Sequence, residues 1–192
     1  MWAGGSIETL QPIRAGQAVQ RVSTITDIKS RDGKTGPLFL LSVRHDFIAY
    51  SSLLVRERQD LVFRDAASRL VLPAEQGAGT GSDWTVQASP LLLFRFSAFT
   101  FNGHRIHYDA PYAEEEGYPG LVVHGPMQAA MMLNLASVKL GHVPRRFDYR
   151  CVAPLIAGPA FGVNFDEATS SVRVIRHDGV TTAEGQVHAP GT

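Results

Sequence analysis

The first third of the chain reads as strands with no helix to cover them. Gln20 to Lys29 (QRVSTITDIK) partly alternates and is rich in Val, Thr and Ile, and Asp32-Gly33 after it supplies a turn signal. Leu38 to Tyr50 and Leu53 to Arg64 give two longer strands, with a short one near Ser6 to Leu10. Nowhere before residue 65 does an apolar helical pattern occur. A sheet with one bare apolar face is not stable alone, so something outside this segment must pack on it.

The pattern changes after a stretch of small and turn-forming residues. Asp65 to Pro90 contains Pro73-Ala74-Glu75-Gln76-Gly77-Ala78-Gly79-Thr80-Gly81-Ser82, which offers a core little to hold and reads as a linker. The boundary is expected near Gly79, dividing a first unit, residues 1–78, from a second, residues 79–192. The second unit begins with Ser89 to Phe101, read as a strand. A helix follows from Pro126 to Leu140, with Gly125 before it, Gly141 to stop it and Pro144 beyond. Its polar residues Gln128, Asn134, Ser137 and Lys139 gather on no broad face, so the helix is expected inside something. Three strand-like runs come next, Arg146 to Leu155, Ala160 to Ile175 and Thr181 to His188. One buried helix wrapped by a curved antiparallel sheet is the hot-dog arrangement, an α+β class.

Composition narrows the function. Hydrophobic residues make up 44% and charged residues 19% of the 192, which is ordinary for a folded domain. Lys plus Arg and Asp plus Glu number 18 each, so charge gives no case for nucleic acid or an anionic membrane. The single cysteine, Cys151, permits no internal disulfide, and a reducing, cytoplasmic setting is expected. It reads as a small buried hydrophobe. No apolar run is long enough for a membrane span, and Met1 to Ser6 lacks the pattern of a secretion signal.

Proton-transfer groups concentrate in one loop. Phe101-Asn102-Gly103-His104-Arg105-Ile106-His107-Tyr108-Asp109 is followed fifteen residues later by His124-Gly125-Pro126 at the helix start. The loop can move protons, and the helix end can hold developing negative charge. His104, His107 and His124 do not have the spacing of a zinc site, and no nucleotide-binding glycine fingerprint follows a strand.

This run, with Gly117-Tyr118-Pro119-Gly120-Leu121-Val122-Val123 leading into His124, resembles the MaoC-like hydratase and dehydratase family. Within it, the chain looks like the branch of mesaconyl-CoA hydratases and type 2 hydroxyacyl-thioester dehydratases. The likeness runs from about Phe94 to Leu135 and resumes weakly at both ends, Met1-Trp2-Ala3-Gly4-Gly5 included. It implies a double hot-dog with an incomplete first unit, mostly strands; members of the branch usually carry a further segment before the Met-Trp-Ala-Gly-Gly run. It also implies an acyl-CoA or acyl-carrier thioester as substrate, no metal or redox cofactor, and a homodimer.

The resemblance makes His107 the proton-transfer residue, Asn102 the group that orients water and the Gly125 amide the oxyanion donor. The commoner family pattern has an aspartate where this chain has Asn102, and an amide orients water without accepting its proton. His104, Arg105 and His124 are candidates for substrate binding. For His104, substrate contact and fixing of the loop are equally open. Arg105 reads as a solvated cation or as the partner of a second acyl carboxylate. His124 reads as orienting the helix start or as packing, and Asp109 as a tether for the loop. The function classes in competition are a hydro-lyase, a hot-dog thioesterase and a non-catalytic acyl-thioester binding subunit.

Overall fold

The computed structural model describes residues 1–33, 36–64 and 81–188. Its strands are β1 (Trp2–Thr9), β2 (Gln20–Gly33), β3 (Gly36–Ala49), β4 (Ser52–Arg64), β5 (Trp84–Gln87), β6 (Arg146–Cys151), β7 (Ala160–Asp166), β8 (Ser171–Ile175) and β9 (Thr181–His188). Between β5 and β6 lie α1 (Pro90–Thr100), a 3₁₀ turn (Arg105–His107), α2 (Ala110–Glu115) and α3 (Gly125–Leu140). The described strands form one antiparallel sheet in the order β2-β3-β4-β1-β6-β9-β8-β7-β5. Strand β1 is the seam, pairing with β4 on one side (Gly5 opposite Gln59) and with β6 on the other (Gly5 opposite Tyr149).

The three long strands of the first third form where their patterns place them. A two-residue turn, Tyr50-Ser51, joins β3 to β4 with both residues at positive φ, 49° and 65°. That matches the twist of the flanking strands, although neither residue is the usual Asn or Gly. Asp32-Gly33 is not the turn but the end of β2, paired with Pro37 and Gly36. The hairpin tip lies outside the described residues, as does the expected boundary near Gly79. The expected linker extends too far, because its last ten positions hold β5, which pairs with β7, and the start of α1.

The segment read as a strand from Ser89 to Phe101 is a helix. Ser89 caps it, its side chain accepting from the Leu92 amide at 3.2 Å, and Pro90 stands in the first turn. Its run of leucine and phenylalanine carries no helical period, and only Leu93 and Ser97 of the helix are buried. The cap, not the periodicity, is the local signal. Ala160 to Ile175 likewise divides into β7 and β8, turned by Asp166, whose carboxylate accepts from the Ala168 and Thr169 amides.

Helix α3 packs across the inner face of β1 and β6 to β9. Met132, Leu135 and Ala136 meet Phe147, Phe161, Val163, Val172, Val174 and Ala183 in one core. The helix is not enclosed, however. Ala130, Asn134 and Val138 lie on its outer face, and Val138 is 68% exposed. Gly141, at φ 73°, ends it in the left-handed conformation expected of a helix-stopping glycine.

Candidate active site

The 3₁₀ turn, the strand-like segment at Val122 and the start of α3 are tied together by short hydrogen bonds. Val122 donates its amide to the Ile106 carbonyl at 2.9 Å, and Val123 donates to Leu155 at 2.8 Å. The Val122 carbonyl lies 2.7 Å from His107 Nδ1. A carbonyl only accepts, so Nδ1 carries the hydrogen and Nε2 keeps its lone pair. His107 is 7% exposed, and burial holds its pKa down at about 4. It is therefore a neutral base at physiological pH.

His107 and His124 stack with ring centroids 3.6 Å apart and planes 19° from parallel. His124 is fully buried, contacts Phe96 and has Nε2 2.8 Å from Ser97 Oγ. Burial lowers its pKa to about 3, so the stacked rings are both neutral. The His104 ring meets His107 edge-on at 5.7 Å. Asn102 closes the loop from α1, its amide donating to the Ser97 carbonyl at 2.9 Å. Its side-chain Oδ1 accepts from the His104 amide at 3.1 Å, which leaves Nδ2 as a free donor.

A cavity of about 660 Å³ brings these groups together; its wall includes Asn102, His104, His107, Gly125, Gln128 and Cys151. Gly125 begins α3, where the helix gives its first amides no internal acceptor. A Cβ at Gly125 would stand 2.9 Å from Cys151 Sγ and 3.3 Å from Trp2 Cβ, so only glycine lets the helix start approach this closely. Trp2 is braced in turn by its indole N–H, which donates to the Tyr149 hydroxyl at 2.9 Å. Burial pushes the Cys151 thiol up to about 11, keeping it protonated.

Asn102, His104, His107 and Gly125 thus share one cavity, whereas Arg105 and His124 are not part of its lining. Arg105 donates through Nε and Nη2 to Asp109, at 3.0 and 2.6 Å, and lies over the Tyr112 ring at 4.3 Å. Asp109 also caps α2 by accepting from the Tyr112 amide. Sequence reasoning did not single out the Val122 carbonyl, Ser97 or Gln128; Cys151, read as a small buried hydrophobe, packs against the core and also lines the cavity. Nothing local marks them, because each acts through a partner distant in the chain. Among the described residues there is no group of three His, Cys, Asp or Glu able to hold a metal, and no helix is long and apolar enough to cross a membrane.

A nine-strand antiparallel sheet, with one long helix packed on β1 and β6 to β9 and a histidine and an amide near the helix start, has the double hot-dog fold. Superposition gives a TM-score of 0.79 with HtdX of Mycobacterium tuberculosis, at 15% identity over 98% of this chain and 74% of that one. A second M. tuberculosis protein, described as a double hotdog fold, matches with a TM-score of 0.58 at 12% identity, covering 96% of this chain and 73% of its own. The family model for hydroxyacyl-thioester dehydratase type 2 matches residues 1–157, and the chain belongs to that family. It is 43% identical over 162 residues to mesaconyl-C(4)-CoA hydratase of Chloroflexus aurantiacus, covering 81% of this chain and 57% of the relative. It is also 39% identical over 75 residues to the mitochondrial hydroxyacyl-thioester dehydratase type 2 of Schizosaccharomyces pombe, covering 37% of this chain and 25% of that protein. The chain therefore spans little more than half the length of the first relative and a quarter of the second.

Proposed function

We propose that this protein is a hydro-lyase that adds water to, or removes it from, a 2-enoyl or 3-hydroxyacyl thioester, with mesaconyl-CoA or a related acyl-CoA as substrate. The observation that carries the reading is the His107 Nδ1 bond to the Val122 carbonyl, which leaves a basic Nε2 in the cavity that Asn102 and Gly125 also line. In the hydration direction Asn102 Nδ2 donates to the oxygen of a water molecule, and His107 Nε2 takes one of its protons. The water oxygen bonds to C3, and the C2–C3 π electrons move to the thioester. The resulting negative oxygen is held by the Gly125 amide at the positive end of α3. His107 then returns the proton to C2, so one histidine serves as base and then as acid. The steps are proton transfers and one carbon–oxygen bond, which require neither metal nor redox cofactor. The acyl group would arrive on coenzyme A or a carrier protein, at a cytoplasmic homodimer.

The test is absorbance of the conjugated enoyl thioester with crotonyl-CoA and mesaconyl-CoA, run beside a free-thiol assay. Loss of the enoyl signal without thiol release, abolished in His107→Ala, is the expected result. Thiol release would mark a thioesterase instead, and full activity in His107→Ala would remove the assigned base.

A further inference from the structure

Gln128 is a polar side chain that the mechanism does not use. It is 2% exposed, lies on α3 three residues after Gly125 and forms part of the cavity wall. Its Oε1 is 2.7 Å from the Thr182 hydroxyl, which is fully buried on β9. The same hydroxyl makes a longer and weaker contact, 3.4 Å, to the Val174 carbonyl, so its proton goes to the nearer Oε1. Thr182 therefore donates to Oε1 and fixes which way the amide faces. The Nε2 donor is left without an acceptor among the described residues. An amide donor spared from every protein partner at a cavity wall is a donor for what fills the cavity.

We propose that Gln128 Nε2, oriented by Thr182, hydrogen-bonds an oxygen atom on the acyl group beyond C3. The inference rests on the hydro-lyase reading and deepens it. With the thioester oxygen at the Gly125 amide, Gln128 stands about 4.5 Å further along the helix axis, comparable to the reach from that carbonyl to a C4 substituent. An acyl chain that is plain hydrocarbon at C4 would leave the amide donor buried and unpaired. A chain bearing a carboxylate, carbonyl or hydroxyl there would satisfy it. Mesaconyl-CoA, already proposed as substrate, carries such an oxygen; the new assignment is Gln128 as the residue that selects for it.

The experiment compares kcat/KM for fumaryl-CoA, with a C4 carboxylate, and 4-hydroxycrotonyl-CoA, with a neutral C4 oxygen, each divided by the value for crotonyl-CoA. The near-isosteric Gln128→Met should lower these ratios roughly ten- to a hundredfold, as loss of a buried hydrogen bond to substrate does. Thr182→Val, which keeps the amide but frees it to turn, should lower them in the same direction by less. A fall confined to fumaryl-CoA assigns the acceptor as a carboxylate, and a fall for both assigns any C4 oxygen. Unchanged ratios in both variants, each with a wild-type melting profile, overturn the proposal. Should the wild type turn over none of the three, nor mesaconyl-CoA, the hydro-lyase reading fails instead. Gln128 is then judged by calorimetric binding of succinyl-CoA against butyryl-CoA, where a preference that Gln128→Met abolishes supports the contact and equal affinities refute it.

Discussion

Strands β2 to β4 and strands β5 to β9 follow the same pairing rule, yet, Ala49 and Leu54 apart, their large apolar side chains meet different fates. Around α3, Val163, Val172, Val174 and Ala183 are fully buried. On β2, β3 and β4, Ile25, Ile28, Phe39 and Phe63 are 60%, 67%, 51% and 53% exposed. Backbone pairing is equally regular in both regions, so pairing alone does not make a core. What separates them is the helix laid across one and not, among the described residues, across the other. The candidate proton-transfer groups lie on the covered side, where burial keeps His107 neutral, while Leu61 and Phe63 of β4 complete the cavity wall.

That contrast can be broken most sharply at the site. His107→Ala should lower the rate by about 10²- to 10⁴-fold at temperatures where the fold is intact, although losing the stack on His124 and unpairing the Val122 carbonyl also lowers the melting temperature. Truncating the covered core is the converse. Leu135→Ala, at a fully buried position, should destabilise by about 2–5 kcal/mol in denaturant unfolding. Gly125→Ala sits where the two meet, because its new methyl group must displace Cys151 or Trp2. A loss of roughly ten- to a hundredfold in kcat is expected from a shifted oxyanion donor, well above the change in KM.

Acid should expose the same asymmetry. His107 has a folded pKa of about 4 against an ordinary 6.5, so between those values the unfolded chain binds the extra proton. The stability from keeping His107 neutral is complete above about pH 6.5 and is lost as pH falls toward 4. His124, held down at about 3, contributes a slope of the same sign, so His107→Asn should reduce the fall of melting temperature across that window without abolishing it, and an unchanged acid slope would mean that other groups set it. The smallest effect belongs to the uncovered sheet. Ile28→Ala should change stability by no more than about 0.5 kcal/mol, and a cost like that of Leu135→Ala would show that this face is covered in solution.

Helix α3 was legible because its glycine and proline punctuation stands at both ends, and the longer strands because β-branched and aromatic residues recur in them; the short β5 was hidden in the expected linker. The site residues Asn102, His104, His107 and Gly125 were legible as a motif that the fold gathers into one cavity. Helix α1 was not, since Leu91 to Phe101 suits a strand by composition and only the Ser89-Pro90 cap indicates otherwise. The degree to which α3 is enclosed was misread for a related reason: residues such as Val138 are apolar yet face outward, and composition carries no direction. The tautomer of His107 and the orientation of Gln128 were out of reach. Each is set by a partner on another element, Val122 and Thr182, and the folded topology alone makes them neighbours.

The central place of β1 bears on how the molecule reaches its structure. Its partners on the covered side, opposite Gly4 and Gly5, are Arg150 and Tyr149, well over half the chain away. Closing so long a loop costs entropy before any contact rewards it, so the ladder between β1 and β6 should form late. Trp2, which braces the start of α3, travels with that strand. Recovery of activity on refolding should therefore lag the recovery of helical signal, because the candidate cavity is walled only when the seam closes.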